Sequence, residues 1–235
     1  MHKPELFFDI ETLPTRDPEV IAQIEASITA PGNYTKAESI AQWEIEKKPA
    51  LVEEAIRKTS FDPWFGQILC IGVAFDDEAP FTLSDHGEYG VLCKFLALLD
   101  RRYKSLLGNT NPPKVIGHNV TGFDLRYVWV RCIINGLRPP EWWPVDAKPW
   151  DNQRVFDTMT HAAGVGGRVS LDKLCKALGI PTPKGELDGS KVYDYYKAGR
   201  INEILTYCAG DVEAMRKVYH RLAFIEMDEP ELLAA

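Results

Sequence analysis

The stretch LFFDIETLP, residues 6–14, places two carboxylates inside an apolar segment that is typical of a buried strand. Acidic residues rarely occupy such segments unless something compensates their charge. Because successive side chains of a strand alternate between faces, Asp9 and Glu11 point the same way. Two acids held together at a buried sheet edge repel each other and lose hydration. A bound cation would compensate for both effects.

Length and charge limit the classes of protein that this chain can belong to. Its 235 residues are 45% hydrophobic, which is enough for one sizeable domain or two small ones. We expect a single domain over residues 1–235. The formal charge is −7, from 27 basic and 34 acidic residues, so no basic field attracts a polyanion. This argues against a protein that coats nucleic acid, but not against an enzyme that contacts phosphate through metal ions.

The cysteines and the N-terminus indicate the compartment. The five cysteines are scattered and no two have C-x-x-C spacing, which is typical of reduced thiols in a cytoplasmic protein. The N-terminus MHKPELFF runs directly into the first strand and leaves no room for a signal peptide. The apolar run at 68–75 is too short to span a bilayer. We expect a cytoplasmic protein with no membrane association.

The order of the predicted elements indicates an α/β fold. We expect strands at 5–10, 67–75, 80–83 and 114–117, and another that begins at 155. A helical insertion occupies about 14–60, and a loop rich in proline and tryptophan occupies 137–153. Further helices are predicted at 89–107, 121–135, 170–178, 190–198 and 201–223. This order favours a mixed sheet flanked by helices.

Two later segments add acidic residues to the first pair. In GHNVTGFDLRYV, residues 117–128, a strand passes into a helix and Asp124 lies near the helix start, where the macrodipole favours negative charge. In TYCAGDVEAM, residues 206–215, Tyr207 and Asp211 are four residues apart and share a helix face. Each segment alone is common and usually structural, so the information lies in their joint, ordered occurrence.

The ordered set D-x-E, N-x-x-x-F-D and Y-x-x-x-D resembles the DEDD superfamily of 3′–5′ exonucleases, in the subclass with tyrosine in the third motif. Within it, the chain is similar to stand-alone relatives of the proofreading domain of family-B DNA polymerases. The segments at 61–72, 155–159 (VFDTM) and 184–192 (KGELDGSKV) support the resemblance, which extends to about residue 222. It implies a ribonuclease H-like fold with a five-stranded mixed sheet and helices on both sides.

The resemblance also implies a chemistry. Oxygen-only ligands select hard ions such as Mg²⁺ or Mn²⁺, and two such ions promote phosphodiester hydrolysis. By resemblance, Asp9 bridges both ions, Glu11 and Asp211 complete the shell of the first, and Asp124 holds the second. Tyr207 hydrogen-bonds the nucleophilic water, and Glu11 also contacts the terminal 3′-hydroxyl. The implied activity is the release of nucleoside 5′-monophosphates from 3′ ends of single-stranded DNA, with RNA second.

Two alternatives to this activity remain open. The first is an RNA-trimming 3′–5′ exoribonuclease with the same site, since the 2′-hydroxyl is recognised by features that these motifs do not carry. The second is a catalytically silent scaffold that binds nucleic acid or protein. The intact acids argue against the scaffold, because a dead site has no need of mutually repelling charges. The expected partners are single-stranded DNA or RNA 3′ ends, and the sequence names no replication or repair partner.

Five further residues are candidates for substrate contact. Asn119 either caps the following helix or contacts substrate, and Phe123 packs in the core or touches the terminal nucleotide. Lys184, Asp188 and Ser190 lie in a loop that steers the terminal nucleotide or its phosphate. The alternative for this loop is a solvated turn that caps the helix at 190–198.

Other polar and aromatic residues near the motifs have structural interpretations. His118 is expected to support the turn between strand and helix. Asp157 either is a fifth acid behind the metal ligands or caps the next helix. Trp142 and Trp143 are expected to pack their loop against the body rather than stack on unpaired bases. Arg131 is expected on a solvated helix face rather than in contact with a phosphate.

Overall fold

The computed structural model describes residues 3–104, 111–148, 150–182 and 187–225. These residues form a five-stranded sheet in the order β3-β2-β1-β4-β5. The strands are β1 (Glu5–Leu13), β2 (Gln67–Phe75), β3 (Phe81–Ser84), β4 (Lys114–Gly117) and β5 (Val155–Asp157). Strand β4 is parallel to both β1 and β5, whereas β2 and β3 are antiparallel to each other. The mixed five-stranded sheet predicted from the sequence is therefore confirmed.

Helices separate and flank the strands. They are α1 (Pro18–Ser27), α2 (Ala37–Glu46), α3 (Lys48–Lys58), α4 (Glu88–Tyr103), α5 (Asp124–Ile134), α6 (Thr158–Ala163), α7 (Leu171–Leu178), α8 (Val192–Lys197) and α9 (Ile201–Leu222). The predicted helices are confirmed apart from their ends, and the predicted end of α4 at residue 107 lies outside the described residues. Within the described ranges, no helix combines the length and apolar character needed to cross a bilayer.

The chain divides into two compact units, one of residues 1–11 and 68–235 and the other of residues 12–67. The second unit contains α1, α2 and α3 and corresponds to the predicted helical insertion. Its two ends are joined because the Thr15 amide donates to the Thr59 hydroxyl at 2.8 Å and the Thr12 hydroxyl donates to the Ser60 carbonyl at 2.8 Å. That the whole chain acts as a single domain stays a prediction.

Strand β1 contributes its two faces to different parts of the core. Leu6, Phe8 and Ile10 belong to the cluster that includes residues of α4 and α5. Phe7, on the other face, packs with residues of α9, and its ring lies 5.6 Å from that of Tyr219. Since side chains alternate along a strand, Asp9 and Glu11 continue the face of Phe7 that is turned toward α9.

Helix α9 approaches the sheet closely at Gly72 of β2. A Cβ atom at this position would lie only 2.8 Å from Cys208 Sγ and 2.8 Å from Val212 Cγ2, so any larger residue would push the helix outward. The glycine therefore allows α9 to pack directly on the strand. This close packing brings the middle of α9 next to the acidic end of β1.

The loop after α5 packs against the body of this unit, as predicted. Trp143 is buried, its Nε1 donates to the Leu125 carbonyl at 3.1 Å, and its ring packs on Phe8 and Phe95. Trp142 is partly buried and contacts Tyr103 edge-on. Both tryptophans are thus used in packing.

The prediction that Arg131 lies on a solvated face is wrong. Its side chain is buried and donates from Nε to Glu88 Oε1 at 2.8 Å and from Nη2 to Glu88 Oε2 at 2.7 Å. The same carboxylate accepts from Asn135 Nδ2 at 2.9 Å and from the Ile68 amide at 2.7 Å. A partner 43 residues away satisfies the charge, and helical periodicity alone does not reveal such a partner.

Candidate active site

Three acidic side chains from two distant segments converge at the end of β1. Asp9 and Glu11 come from the strand and Asp211 from α9, and each offers a carboxylate oxygen within 4.8 Å of the other two. We call Asp9, Glu11 and Asp211 the carboxylate cluster. The strand alternation and the close approach of α9 at Gly72 together produce it. Residues separated by about 200 positions in sequence therefore share one site.

Asp124 lies beside the cluster but is not one of its three members. It is the first residue of α5, and its Oδ1 accepts a hydrogen bond from the Ile10 amide at 3.2 Å. Among the carboxylates near Asp9, Asp124 has the largest effect on the pKa of that residue. Its position at the helix start, facing the end of β1, agrees with the location expected from the sequence.

The site is electrostatically costly without a cation. Burial raises the pKa of both Asp9 and Glu11 well above the usual range, and the surrounding carboxylates raise these pKa values further. Burial raises the pKa of Asp124 from 3.8 to about 8, although the hydrogen bond from the Ile10 backbone opposes that shift. Two unit charges about 4 Å apart repel by roughly 4 kcal/mol at an effective dielectric near 20. Protons or cations must therefore accompany these carboxylates at neutral pH.

Tyr207 lies on the same face of α9 as Asp211, one helical turn earlier, as the spacing predicts. Burial raises the pKa of its hydroxyl, and the nearby carboxylates of Asp211 and Glu11 raise the pKa further. A hydrogen bond to Asp211 acts in the same direction. The phenol therefore keeps its proton at neutral pH and can orient a neighbouring molecule by hydrogen bonding, but it cannot act as an anionic base.

Two cysteines lie next to the cluster, although the sequence indicated only that they are reduced thiols and did not predict a place for them in the site. Cys208 Sγ donates to Asp9 Oδ2 at 3.9 Å. The thiol of Cys70 on β2 is hydrogen-bonded to that of Cys208, and this contact together with burial raises the pKa of Cys208. Both side chains are fully buried and reduced. The only sequence feature that could have indicated this role is that Cys208 directly follows Tyr207.

The turn that leads into α5, residues 118–123, is called the motif-two turn. Asn119 adopts a positive φ of 61°, and its carbonyl accepts from the amides of Gly122 and Phe123 at 3.0 Å each. Helix α5 begins only at Asp124, with apolar Phe123 at the N-cap position. The interpretation of Asn119 as the helix cap is therefore wrong, because the turn ends before the helix starts. Substrate contact by Asn119 stays a prediction.

Phe123 is partly buried and packs against the core, with its ring 5.0 Å from that of Tyr127. The packing interpretation of this residue is confirmed, and its contact with a nucleotide stays a prediction. His118 supports the motif-two turn as expected. Its Nε2 lies 2.9 Å from the Val169 carbonyl and its Nδ1 lies 2.9 Å from the Thr158 hydroxyl. Burial lowers the pKa of His118, so the ring is neutral at pH 7.

Asp157 caps α6, which confirms one of the two interpretations offered for it. Its Oδ1 accepts from the amides of Met159 at 3.0 Å and Thr160 at 3.3 Å. Further donors to the same carboxylate come from the motif-two turn. This side chain therefore joins two segments that follow neighbouring strands.

Asp188 and Ser190 form a capped turn. Asp188 accepts from the Ser190 amide at 3.0 Å and from the Ser190 hydroxyl at 2.5 Å, at the start of the 3-10 turn Gly189–Lys191 that precedes α8. The capping interpretation of this loop is confirmed, while steering of a nucleotide stays a prediction. Lys184 lies outside the described residues.

The carboxylate cluster fits a small divalent cation. Oxygen atoms that bind one Mg²⁺ at about 2.1 Å lie at most about 4.2 Å apart. The observed spread of up to 4.8 Å is therefore within a small side-chain adjustment of that geometry. The three donors are all carboxylates, which suits Mg²⁺ or Mn²⁺ better than softer metals. Binding of a cation would also remove the repulsion that raises the pKa of these acids.

Comparisons with known proteins agree with this architecture. Residues 67–229 match the model of a family described as predicted 3′–5′ exonucleases related to the exonuclease domain of PolB. The fold is similar to that of the family B DNA polymerase from the hyperthermophilic archaeon Pyrobaculum calidifontis, with a TM-score of 0.53 and 16% sequence identity. That similarity covers 95% of this chain and 25% of the polymerase chain, so this chain spans about a quarter of its length. No curated protein sequence matches significantly. The mixed sheet with flanking helices is the ribonuclease H-like fold expected from the sequence.

Proposed function

Because the chain belongs to the family of predicted 3′–5′ exonucleases related to the exonuclease domain of PolB, we propose that it removes single nucleotides from 3′ ends of single-stranded DNA. The products are nucleoside 5′-monophosphates. The observation that carries the proposal is the convergence of Asp9, Glu11 and Asp211, whose carboxylate oxygens approach within 4.8 Å. An acidic cluster of this kind has no stabilising purpose of its own and is typical of a functional site.

The acids have separate tasks in this proposal. Asp9, Glu11 and Asp211 would hold one divalent ion, and Asp9 with Asp124 would hold a second. Bound Mg²⁺ or Mn²⁺ supplies positive charge that activates water and stabilises the leaving oxygen of the phosphodiester. The hydrogen bond from the Ile10 amide holds Oδ1 of Asp124 against the end of β1. The strand and helix backbones therefore fix the carboxylates before substrate arrives.

Tyr207 orients the attacking water in this proposal. Its raised pKa keeps the hydroxyl protonated, so the residue acts by hydrogen bonding rather than by removing a proton. Its hydrogen bond with Asp211 couples the orientation of the phenol to that of a cluster carboxylate. We therefore place Tyr207 among the residues that align the water with the scissile bond, which affects the rate more than substrate affinity.

The direct test compares two carboxylate substitutions on the same helix. Asp211→Asn removes a cluster acid, whereas Glu203→Gln removes an exposed acid of α9 that pairs with Arg200 at 2.6 Å. Each purified variant is incubated with 5′-labelled single-stranded DNA and Mn²⁺ or Mg²⁺. We expect a ladder of products shortened one nucleotide at a time from the wild type and from Glu203→Gln, and no ladder from Asp211→Asn.

Two other outcomes would replace this proposal. Internal cleavage, or equal cleavage by wild type and Asp211→Asn, would contradict exonuclease activity at this site. A parallel incubation with 5′-labelled single-stranded RNA distinguishes the polymers, and a ladder on RNA alone would identify an exoribonuclease. Binding of either oligonucleotide without hydrolysis in any metal would favour a silent scaffold.

A further inference from the structure

Asp157 accepts more hydrogen bonds than the cap of a short helix requires. Its Oδ1 bonds the Met159 and Thr160 amides of α6 and also the Asn119 amide at 3.0 Å. Its Oδ2 accepts from the Thr121 amide at 3.0 Å and from the Thr121 hydroxyl at 2.6 Å. The side chain is only 4% exposed, so water cannot replace these partners. All of the lone pairs of the carboxylate are therefore committed.

These bonds hold a tight turn in place. Asn119 has a positive φ of 61°, a left-handed conformation that asparagine adopts more readily than most residues with a side chain. Asp157, at the end of β5, accepts hydrogen bonds from this turn. His118 links the same turn to Val169 and Thr158. The motif-two turn is thus anchored on two sides. Its conformation therefore rests on contacts with other segments as well as on its own backbone hydrogen bonds.

The motif-two turn contains the candidate substrate residues, whereas the candidate metal ligand Asp124 is held in place by a different contact. Asn119 and Phe123 both belong to the motif-two turn. Asp124, the next residue, is held separately by the Ile10 amide of β1. A change at Asp157 should therefore disturb contact with the nucleotide before it disturbs the carboxylates.

We propose that Asp157 is a positioning residue, which holds the motif-two turn so that Asn119 and Phe123 contact the terminal nucleotide of a single-stranded substrate. It acts through the backbone of the turn and is not a ligand of the metal ions. This inference rests on the proposed exonuclease function, and it names a residue on which recognition of the substrate depends. It also explains why a buried acid ends β5 in the segment VFDTM.

The test uses two substitutions of different severity. Asp157→Asn replaces one acceptor oxygen by a donor, and Thr121→Val removes only the hydroxyl that bonds Oδ2. Asp17→Asn is the matched control, because Asp17 caps α1 in the helical unit through the Glu19 amide at 2.8 Å. For each protein, KM, kcat and the Mn²⁺ concentration for half-maximal rate are measured on a 5′-labelled single-stranded oligonucleotide. Fluorescence anisotropy in Ca²⁺ gives the dissociation constant of the same oligonucleotide.

We expect Asp157→Asn to raise KM and the dissociation constant roughly tenfold, because hydrogen bonds to a charged group are lost. Thr121→Val should raise both by about threefold, as expected for the loss of one hydrogen bond. The Mn²⁺ midpoint should stay unchanged in both variants, and Asp17→Asn should resemble the wild type. If Asp157→Asn does not fold, Thr121→Val carries the test alone.

Two results would overturn the inference. A shifted Mn²⁺ midpoint with unchanged KM would place Asp157 in the shell of the ions. A lower melting temperature and fewer active molecules, with unchanged KM and dissociation constant, would show a purely structural role. A wild type that releases no nucleotide in any metal would instead contradict the proposed function. The dissociation constants would then decide this inference by themselves.

Discussion

Buried acids occur in two regions of the sheet-containing unit, and the two regions differ in how the charge is satisfied. Glu88 at the start of α4 meets the guanidinium of Arg131 through two hydrogen bonds of 2.8 and 2.7 Å, and Asn135 adds a third donor. Asp9 and Glu11 instead face further carboxylates, which raise their pKa values. One region therefore holds a neutralised ion pair, whereas the other holds several carboxylates of like charge.

This difference separates an acid that supports the fold from acids that carry chemistry. The charge of a buried carboxylate is neutralised by a bidentate arginine, so no further ion needs to bind there. Among the described residues, Asp9 and Glu11 of the carboxylate cluster have no such cationic partner, and the proposed metal ions would supply the missing positive charge. We infer that the cluster persists for function, whereas the Glu88 pair persists for structure. Substitutions in the two regions should therefore have opposite effects on activity and stability.

The largest effect is expected at Asp9. Asp9→Asn should lower the exonuclease rate by roughly 10²–10³-fold or more, because several kcal/mol of transition-state stabilisation depend on the bound ions. Its melting temperature in EDTA should equal or exceed that of the wild type, since one repelling charge is removed. Single-turnover rates and thermal unfolding of the same preparation check both expectations. A rate within tenfold of wild type would contradict the assignment.

At Glu88 the expected pattern is reversed. Glu88→Ala leaves Arg131 buried without its partner, which should lower the free energy of unfolding by about 3–5 kcal/mol. The remaining folded molecules should retain the wild-type rate, because the contacts described for Glu88 join α4 to Arg131, Asn135 and Ile68 rather than to the cluster. Urea unfolding gives the stability, and active-site titration corrects the rate for unfolded protein. Double substitution of Glu88 and Arg131 by apolar residues should recover most of the loss.

An intermediate effect is expected at Tyr207. Tyr207→Phe removes one oriented hydroxyl and should lower kcat by roughly 10–100-fold, the size expected for a hydrogen bond to a charged partner. KM for the oligonucleotide and the Mn²⁺ midpoint should change little, since the carboxylates remain. Steady-state kinetics at saturating Mn²⁺ separates these parameters. An equal loss in Tyr195→Phe, a change at a buried tyrosine of α8, would show that the effect is not specific to the site.

The smallest effect concerns pH without metal. The pKa of Asp124 is raised from 3.8 to about 8, so the folded state holds a proton that the unfolded state has lost. Its contribution to stability is complete below the ordinary value and is lost as pH rises toward about 8. The melting temperature in EDTA should fall by roughly 2–4 °C between pH 7 and 8.5, above the range in which histidines titrate. Asp124→Asn should weaken this dependence without abolishing it, because the pKa values of Asp9 and Glu11 are raised as well, and a rise of the melting temperature with pH would contradict the prediction.

The sequence predicts the parts of the site that depend on local periodicity. Alternation along β1 places Asp9 with Glu11, and helical spacing places Tyr207 with Asp211. Contacts between distant segments were not predictable in the same way. The salt bridge of Arg131 spans 43 residues, and the contact of Cys208 with Asp9 spans 199. These contacts depend on how helices pack on the sheet, which propensity and spacing do not encode.

Turn geometry sets a second limit on prediction from the sequence. The motif G-H-N-V-T-G-F-D favours a helix from Thr121, yet helix α5 begins at Asp124. The delay arises because Asn119 adopts a left-handed conformation and its carbonyl accepts the amides of Gly122 and Phe123. Asp157, at the end of β5, supports that conformation by accepting hydrogen bonds from the Asn119 and Thr121 amides. A tertiary contact thus overrides local helix preference at this point.

Thermal unfolding with and without a divalent cation tests most directly whether the carboxylates share metal ions. Binding at about 100 times the dissociation constant stabilises a folded protein by roughly 2.7 kcal/mol, or about 5–10 °C for a chain of this size. We expect millimolar Mn²⁺ to raise the melting temperature of the wild type by this amount relative to EDTA, and that of Asp211→Asn by much less. An unchanged melting temperature of the wild type in both Mn²⁺ and Mg²⁺ would contradict the metal site.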